Sequence, residues 1–412
     1  MAKNNNLTDF VVDIADAIRE KEGSTDKINP QDFHDRILAI KGAEETPIVE
    51  EKDVNFYDYD GTLLFSYTLA EAQALTELPT PKGHDGLVFD GWNWDYEDVI
   101  ALDYPMDIGA LYMTDDGKTR IYIDVATKAA MDVPLYFSQS VSRGVVIDWG
   151  DGSPSETIEG TGFLNVAHHY NNIGKYRISL DVAENCSLIL GSNQGNMTLL
   201  GEVQNSNPLT YATYLDKVEL GYRTALNGNA FKSSLLRSIT FNSLSGISGA
   251  PFYAVSNLSA IVVAKSTLAG GVDGVNQATN AYSISHLMLP KITRNSGGIA
   301  NNCRNIKRIR LSATVLNLLT NVIRGCYSIT YFEVPAQVKE IGQHAISDTP
   351  SLRILDCRRC KQVPLNKGFN SIPTEAIVVV PDALYDEWIS ATNWAAIADQ
   401  IIKASDYESQ NG

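Results

Sequence analysis

A six-residue pattern, Leu/Ile-x-x-φ-x-φ with φ apolar, recurs seven times in the second half of this chain, beginning at Leu215, Leu236, Leu258, Ile284, Ile306, Ile329 and Leu352. The intervals are 21, 22, 26, 22, 23 and 23 residues. Self-similarity at such a period predicts a solenoid, in which each repeat is one rung that buries its apolar edge only by stacking on its neighbours. Stacked rungs present broad surfaces, so the period points to binding before chemistry.

Within each copy the apolar positions fall at i, i+3 and i+5. Leu236, Ile239 and Phe241 form one such set; Leu258, Ile261 and Val263 the next; then Ile284, Leu287 and Leu289; Ile306, Ile309 and Leu311; and Ile329, Phe332 and Val334. These are expected to point inward from one short strand per rung, with the chain returning by irregular or helical turns. The residues between them are mixed and polar and are expected outside: Arg237, Ser238 and Thr240; Lys307, Arg308 and Arg310; Thr330, Tyr331 and Glu333. After the last copy, PDALYDEWISATNWAAIADQII offers Pro381, an Asp382 cap and an apolar stripe. It reads as a terminal helix closing the final rung, which an open solenoid end requires.

The remaining organisation follows from shifts in pattern. Residues 1–42 carry two helical stripes. The first has Leu7, Phe10, Val11, Ile14 and Ile18, with Thr8 or Asp9 as cap and Gly23 as stop. The second starts at Asn29-Pro30 and runs through Phe33, Ile37, Leu38 and Ile40 to Gly42. Two helices this short need a partner surface. Residues 43–53 are acidic with one proline and read as a linker. Residues 54–118 are rich in Tyr, Trp and Phe and predict a small α+β module, with a hairpin at Asp60-Gly61 and a short helix within 69–78. Residues 119–185 hold five alternating segments, TRIYIDVAT, VPLYFSQ, GVVIDWGDG, NVAHHY and KYRISLDV, the pattern of a β-sandwich. Residues 186–214 are Asn- and Gly-rich and bridge to the solenoid at 215–380, leaving 381–412 as cap and tail. The fold class expected is multidomain and mainly β.

Composition bounds the partners. Among 412 residues, 44% are hydrophobic, which suits ordered protein. The net charge of −16 disfavours nucleic acid, whose phosphates need Lys and Arg. No run of eighteen apolar residues exists, so no membrane insertion is expected. The N-terminus lacks an apolar h-region, so the polypeptide is expected not to use the general secretory route.

Several motifs bear on chemistry. Asp58-Tyr59-Asp60-Gly61-Thr62 matches the DxDGT nucleophile loop of haloacid-dehalogenase phosphatases, but the next sixty residues show aromatic β sequence rather than alternating βα units. A hairpin with an Asp-Gly tip is preferred. Asp148 and Asp151 of the WGDG segment could hold calcium; carboxylates in a polar turn more often accept backbone N–H bonds. His168 and His169 are adjacent on an expected strand and so face opposite ways, one toward the core and one toward the surface. Five cysteines, Cys186, Cys303, Cys326, Cys357 and Cys360, are too few and too odd for a disulfide framework. Cys303 and Cys326 each precede a repeat by three residues and read as stacked buried thiols. Cys357-x-x-Cys360 supplies two ligands where a structural zinc wants four. No catalytic, cofactor or metal site is expected, and the chain reads as no enzyme.

Three resemblances add to this. Asp148-Trp149-Gly150-Asp151-Gly152, His169-Tyr170 and Gly174-x-Tyr176-x-Ile178-x-Leu180 resemble the PKD-type immunoglobulin-like domain over 119–184. Asn229-Ala230-Phe231, Cys326-Tyr327-Ser328-Ile329, Val334-Pro335, Val380-Pro381-Asp382 and Trp394 resemble BspA-like leucine-rich repeats of bacterial and phage surface proteins, over about 215–405. LTDFVVDIADAIREKEGSTDKINPQDFHDRILAIKG resembles the opening segment of tail-associated phage proteins, and the aromatic module resembles its usual neighbour. Together they imply a structural and adhesive virion protein on a phage tail, baseplate or head fibre, assembled in the host cytoplasm. Residues 1–42 would attach it to other virion proteins, the next two modules would be spacers, and the solenoid would bind a host surface glycan or protein. A homo-oligomer is the expected state. A bacterial cell-surface adhesin, a phosphatase built on Asp58 and a purely architectural virion protein are the rival expectations.

Overall fold

The computed structural model describes residues 52–191, 197–202, 215–232, 234–247, 251–255, 257–264, 278–292, 295–296, 298–368 and 372–411, with residues 12, 15, 16, 18, 19 and 27–29 near the N-terminus. Residues 1–50 form one unit and 51–412 another. In the first, residues 12, 15–16 and 18–19 are helical, with Ala15 and Ile18 buried and Val12 exposed. The rest of the first expected helix and the second, from Pro30 to Gly42, lie outside the described residues. Among the described residues no helix is long and apolar enough to cross a membrane.

The aromatic segment builds strands β1 (Val54–Tyr57), β2 (Leu63–Tyr67), β3 (Leu87–Trp92) and β4 (Met106–Thr114), with helices α1 (Leu69–Gln73) and α2 (Tyr96–Ile100). The sheet order is β2-β1-β4-β3, with β1 and β4 parallel. Thr68 starts α1 through a capping box with Glu71. The Asp60-Gly61 tip joins β1 to its antiparallel partner β2, as expected. Asp116-Gly117, a second Asp-Gly turn between strands of alternating pattern, closes no hairpin. It carries the chain from β4 into a different sheet.

That next region contains β5 (Thr119–Val125), β6 (Asp132–Gln139), β7 (Val145–Asp148), β8 (Glu156–Thr157), β9 (Gly162–His169), β10 (Gly174–Val182) and β11 (Leu188–Leu190). All five expected segments are strands. They divide between two sheets, β5-β10-β7-β8 and β11-β6-β9, whose alternating buried side chains, including Ile121, Phe137, Trp149 and Leu180, share one core. Gly150 turns with φ +76°, and a Cβ there would stand 2.4 Å from the Arg177 carbonyl oxygen. The tight approach of the turn to β10 therefore demands glycine.

Neither sheet ends at a free edge where the repeats begin. The strand Leu215–Glu219 adds antiparallel to β5, and Ser238–Ile239 continues from it in parallel. Thr224–Leu226 adds in parallel to β11. The first rung is thus hydrogen-bonded onto both sheets, and the two-sheet core runs without interruption into the solenoid core.

Every residue expected to point inward in the five sets above is buried. The return path, expected as irregular or helical turns, is irregular with further short strands in it and no helix among the described residues. Three parallel ladders run along the rungs. One pairs Ala278, Ala300, Ile323 and Ile346 in register. A second pairs Asn295, Asn317, Glu340 and Leu365. The third, formed by the repeat motif itself, pairs Tyr331–Glu333, Ile354–Asp356, Ile377–Val380 and Ile401–Lys403. The corners on either side of the first ladder are set by left-handed residues at one position per rung. Asn280, Asn302, Gly325 and Asp348 form one column, and Gly298, Asn321 and His344 the other, all with φ between 53° and 64°. Asn, Asp, His and Gly are the residues that tolerate this region best.

The C-terminal end also departs from a single capping helix. A short helix, Tyr385–Ser390, a 3-10 turn, Ala395–Gln400, and the strand Ile401–Lys403 precede a last helix, Ala404–Asn411. Asp382 makes no side-chain cap; its carboxylate accepts from the Ser405 backbone N–H. Trp388 and Trp394 are fully buried at the end of the core, their rings 4.4 Å apart edge to face.

Candidate functional site

In the motif strands, residues i+2 and i+4 turn away from the solenoid core. Much of that outward face is covered, which the expected polar exterior did not anticipate. Thr240, Ala260, Val262 and Met288 are all outward and all buried. The aromatic sheet lies on them. Gly109 of β4 sits so close that a Cβ would fall 2.6 Å from Val262 Cγ1. Asn93 Nδ2 donates to the carbonyls of Val263 and Met288, Trp94 Nε1 donates to Leu289 O at 2.8 Å, and Ser259 Oγ donates to Asp60 O. The module is therefore no spacer; it is packed along the strand face.

The cover ends at the rung of Ile306. Among the described residues this is the one motif copy of the seven that forms no strand. Its outward residues, Arg308 and Arg310, reach across to the aromatic module instead. Arg308 donates from Nε and Nη2 to the two oxygens of Asp107, each at 2.9 Å, and Nη2 also reaches the Tyr57 hydroxyl at 2.5 Å. Arg310 donates to the Asp53 carbonyl and lies 3.5 Å from Asp107.

Beyond this clasp a cleft of about 520 Å³ opens between Asp103–Pro105 and the strand face of the following rungs. Four cations line it, Arg308, Arg310, Arg359 and Lys361, against the carboxylates of Asp103 and Glu333. Arg359 donates to the Asp103 carbonyl and stands 3.7 Å from Glu333. Burial pushes the Glu333 carboxyl above the usual range, with Arg359 opposing. Tyr331 forms part of the wall; its hydroxyl donates to Asp356 Oδ2 at 2.6 Å. Burial raises Tyr331, and the Asp356 charge adds to it. Burial also works to raise Asp356, but the hydrogen bonds from Arg358 and Tyr331 prevail and hold it low. Among the described residues no carboxylate pairs with the exposed Lys361 ammonium. The arrangement offers guanidinium and ammonium donors beside two tyrosines, Tyr104 and Tyr331, which is equipment for binding. Arg308, Arg310, Tyr331 and Glu333 were legible as outward residues; Arg359 and Lys361 were hidden inside a segment read for its cysteines, and Asp103 and Tyr104 carried no pattern.

On another face, exposed Arg304 lies between two exposed tyrosines of neighbouring rungs, 4.8 Å from the Tyr282 ring and 5.3 Å from the Tyr327 ring. The three occupy the same position in successive motif copies, two residues before Ile284, Ile306 and Ile329.

The other residues singled out by sequence are placed as follows. Asp58 is buried, with Oδ1 accepting the Tyr59 N–H and Oδ2 2.7 Å from His84 Nε2. Asp60 is exposed and accepts the Thr62 N–H, so the pair shapes a hairpin tip. Burial, then the Asp58 charge, pushes Tyr59 up to about 12. Asp148 accepts the Gly150 N–H and Asp151 the Ser153 N–H, both at turns. His168 and His169 do face opposite ways. His168 stacks on Trp149 at 4.9 Å and meets Asp151, while exposed His169 meets Asp132. His168 is half-buried beside the turn rather than in the core. All five cysteines are free and buried. Cys303 and Cys326 stack rung on rung, burial pushing Cys303 up to about 12 and Cys326 higher still. Cys357 and Cys360 are likewise buried, and burial with the neighbouring Cys360 raises Cys357. Among the described residues no group of three or more metal-ligating side chains is found.

The registered parallel ladders and the buried i, i+3, i+5 sets make the described repeats a β-solenoid. Residues 224–353 are BspA-type leucine-rich repeats. They match the family model described as BspA type Leucine rich repeat region, in six copies. Six of the seven motif starts fall within that span; the seventh, Leu215, begins the rung that adds to β5. No curated protein matches the chain. In the BspA-type repeats the cleft occupies the strand face of the last matched rungs and the first rung beyond them, so the candidate site belongs largely to the repeats.

Proposed function

We propose that this chain is an adhesive attachment protein of a phage virion, which holds the particle by residues 1–42 and binds a host surface glycan or protein through its solenoid. The observation that carries the adhesive part is the uncovered strand face at Arg308–Lys361. There the aromatic module stops and a side-chain-lined cleft remains beside repeats of a type common in surface adhesins. The virion assignment rests on the resemblance of the N-terminal segment to tail-associated proteins. The two sheets of residues 119–190 are read as the PKD-like, immunoglobulin-like support on which the first rung is built. No step of chemistry is assigned to the chain, and its role is structural and adhesive. Copies arrayed on one particle would turn weak single contacts into an avidity gain of about 10²–10⁴.

The test has two arms. Gold-labelled antibody against residues 215–405 should decorate intact particles in electron micrographs, and purified full chain should bind host cells saturably. Decoration with no cell binding would leave an architectural protein. A bacterial cell-surface adhesin is the second reading, favoured by the repeats themselves; label on the cell envelope and none on particles would establish it.

A further inference from the structure

We propose that the cleft between Asp103–Pro105 and the strand face at Arg308–Lys361 binds a carboxylate-bearing saccharide, an inference that rests on the adhesive reading and names its ligand class. Three observations converge on it. The first is charge. The chain carries a net −16, yet the cleft gathers four cations against two carboxylates. Asp107 occupies Arg308 fully on one side, whereas Arg359 and Lys361 stand at the open rim with donors to spare. An arginine fork beside a lysine matches a carboxylate in shape and charge.

The second is the kind of contact on offer. The strand Tyr331–Glu333 pairs in parallel with Ile354–Asp356 on one side, and on the side of the strandless Ile306 rung it has no strand partner among the described residues. Pro105 and Pro335 on the walls carry no N–H at all. An extended peptide, which binds by adding its main chain to a sheet edge, would have to enter between Tyr331–Glu333 and the Ile306 rung, whose residues 308–311 line the same cleft. The cleft offers side-chain donors, the Gln337 amide and the half-buried Tyr331, the equipment for sugar hydroxyls and an acidic substituent. The third is size. A volume of about 520 Å³ lies within the range of roughly 300–1,000 Å³ that holds small ligands, and it suits a short saccharide rather than a protein surface.

The experiment uses the full chain and four probes: a uronic acid trisaccharide, its neutral hexose counterpart, a triglutamate peptide and whole host cells. Calorimetric titration should show the uronate binding and the neutral sugar not, with affinity falling as salt rises. The variant Arg359→Ala/Lys361→Ala removes two rim cations that are not core residues, and it should lose about tenfold or more of the uronate affinity. Its thermal melt should remain a single cooperative transition, and Lys128→Ala, in the exposed 3-10 helix Lys128–Ala130, should bind as the parent does. Equal binding of neutral and acidic sugar, unchanged affinity in the double variant, or tighter binding of triglutamate than of uronate would each overturn the proposal. Cell binding that persists without any uronate binding would overturn the ligand class and leave the adhesive reading standing. Loss of both would overturn both.

Discussion

Arg308 grips Asp107 with two parallel hydrogen bonds, Nε to Oδ2 and Nη2 to Oδ1, both 2.9 Å, and so ties strand β4 to the rung that begins at Ile306. The partners are 201 residues apart in sequence. The clasp marks a boundary. Before it, the outward face of the repeats is apolar and covered, at Val262 and Met288; after it, the face is charged and open, at Glu333 and Arg359. The aromatic module therefore shapes the candidate site as well as shielding the earlier rungs, since Asp103 and Tyr104 form one wall of the cleft.

Breaking that clasp should destabilise the protein measurably. Side-chain exposure is 28% for Arg308 and 12% for Asp107, so removing Asp107 leaves Arg308 and Arg310 without their shared carboxylate, and removing Arg308 leaves Asp107 only the longer contact to Arg310. Asp107→Ala should cost about 2–4 kcal/mol in urea unfolding. The double variant Asp107→Ala/Arg308→Ala should cost less than the sum of the singles, because each single strands the other charge. Strict additivity of the two would show that the pair is not energetically joined.

Gly109 reports the closeness of the two layers. Its missing Cβ would meet both methyls of Val262, at 2.6 and 2.7 Å, and Met288 Cβ at 3.1 Å. Gly109→Ala should therefore cost about 1–3 kcal/mol by overpacking. Adding Val262→Ala should recover part of the loss, since it empties the space the new methyl needs. A Gly109→Ala protein with the parent's urea midpoint would mean that the module does not rest on the solenoid as described.

How much of this was legible in the sequence depends on whether a residue's partner lay nearby in the chain. The inward column was readable because Ile306, Ile309 and Leu311 repeat a local spacing that every rung shares. The hairpin tip at Asp60-Gly61 was readable for the same reason. The cover on the repeats was not, since Gly109, Val262 and Met288 meet across more than one hundred and fifty residues and none breaks its own local pattern. Of the irregular or helical return expected between strands, the helical alternative is not seen: 22 or 23 residues suffice for three short strands joined by irregular turns when Asn302, Asn321 and their stacked equivalents turn left-handed corners. Asn280, Asn302, Gly325 and Asp348 recur at rung spacing, and that period is the local signal of the corners. The cleft was half legible: its arginines were placed outside, but nothing local announced that Asp103 and Tyr104 would stand opposite them.

The turn holding Asp151 predicts a pH dependence. Hydrogen bonding from Ser153 leads, burial opposes it, and His168 adds to it, so that Asp151 is lowered from 3.8 to about 2. A carboxyl depressed on folding adds stability above its ordinary value and loses that contribution as pH falls through its folded value. Asp151→Asn should therefore melt lower than the parent near neutral pH, by about a degree or two given solvent screening. The gap should close between 3.8 and about 2. A gap that stays constant across that window would mean that the Asp151 charge contributes nothing to the turn.

Trp394 carries the last prediction, about how the repeat stack ends. Its ring is fully buried against Trp388, and Nε1 donates to the Pro364 carbonyl at 2.9 Å. The strand Ile401–Lys403 then pairs in parallel with Ile377–Val380, so one more strand joins the ladder after the tryptophans. If the two indoles close the core, Trp394→Ala should cost about 3–5 kcal/mol and open apolar surface at that end. The exposed edge should bind a hydrophobic dye and promote self-association on sizing columns. Hydrogen exchange would locate the damage: amides of the Ile377–Val380 and Ile401–Lys403 strands should lose protection first, while those of β5 and β6 at the opposite end keep theirs. Uniform loss along the whole stack would instead show that 51–412 unfolds as one unit, with no end effect of its own.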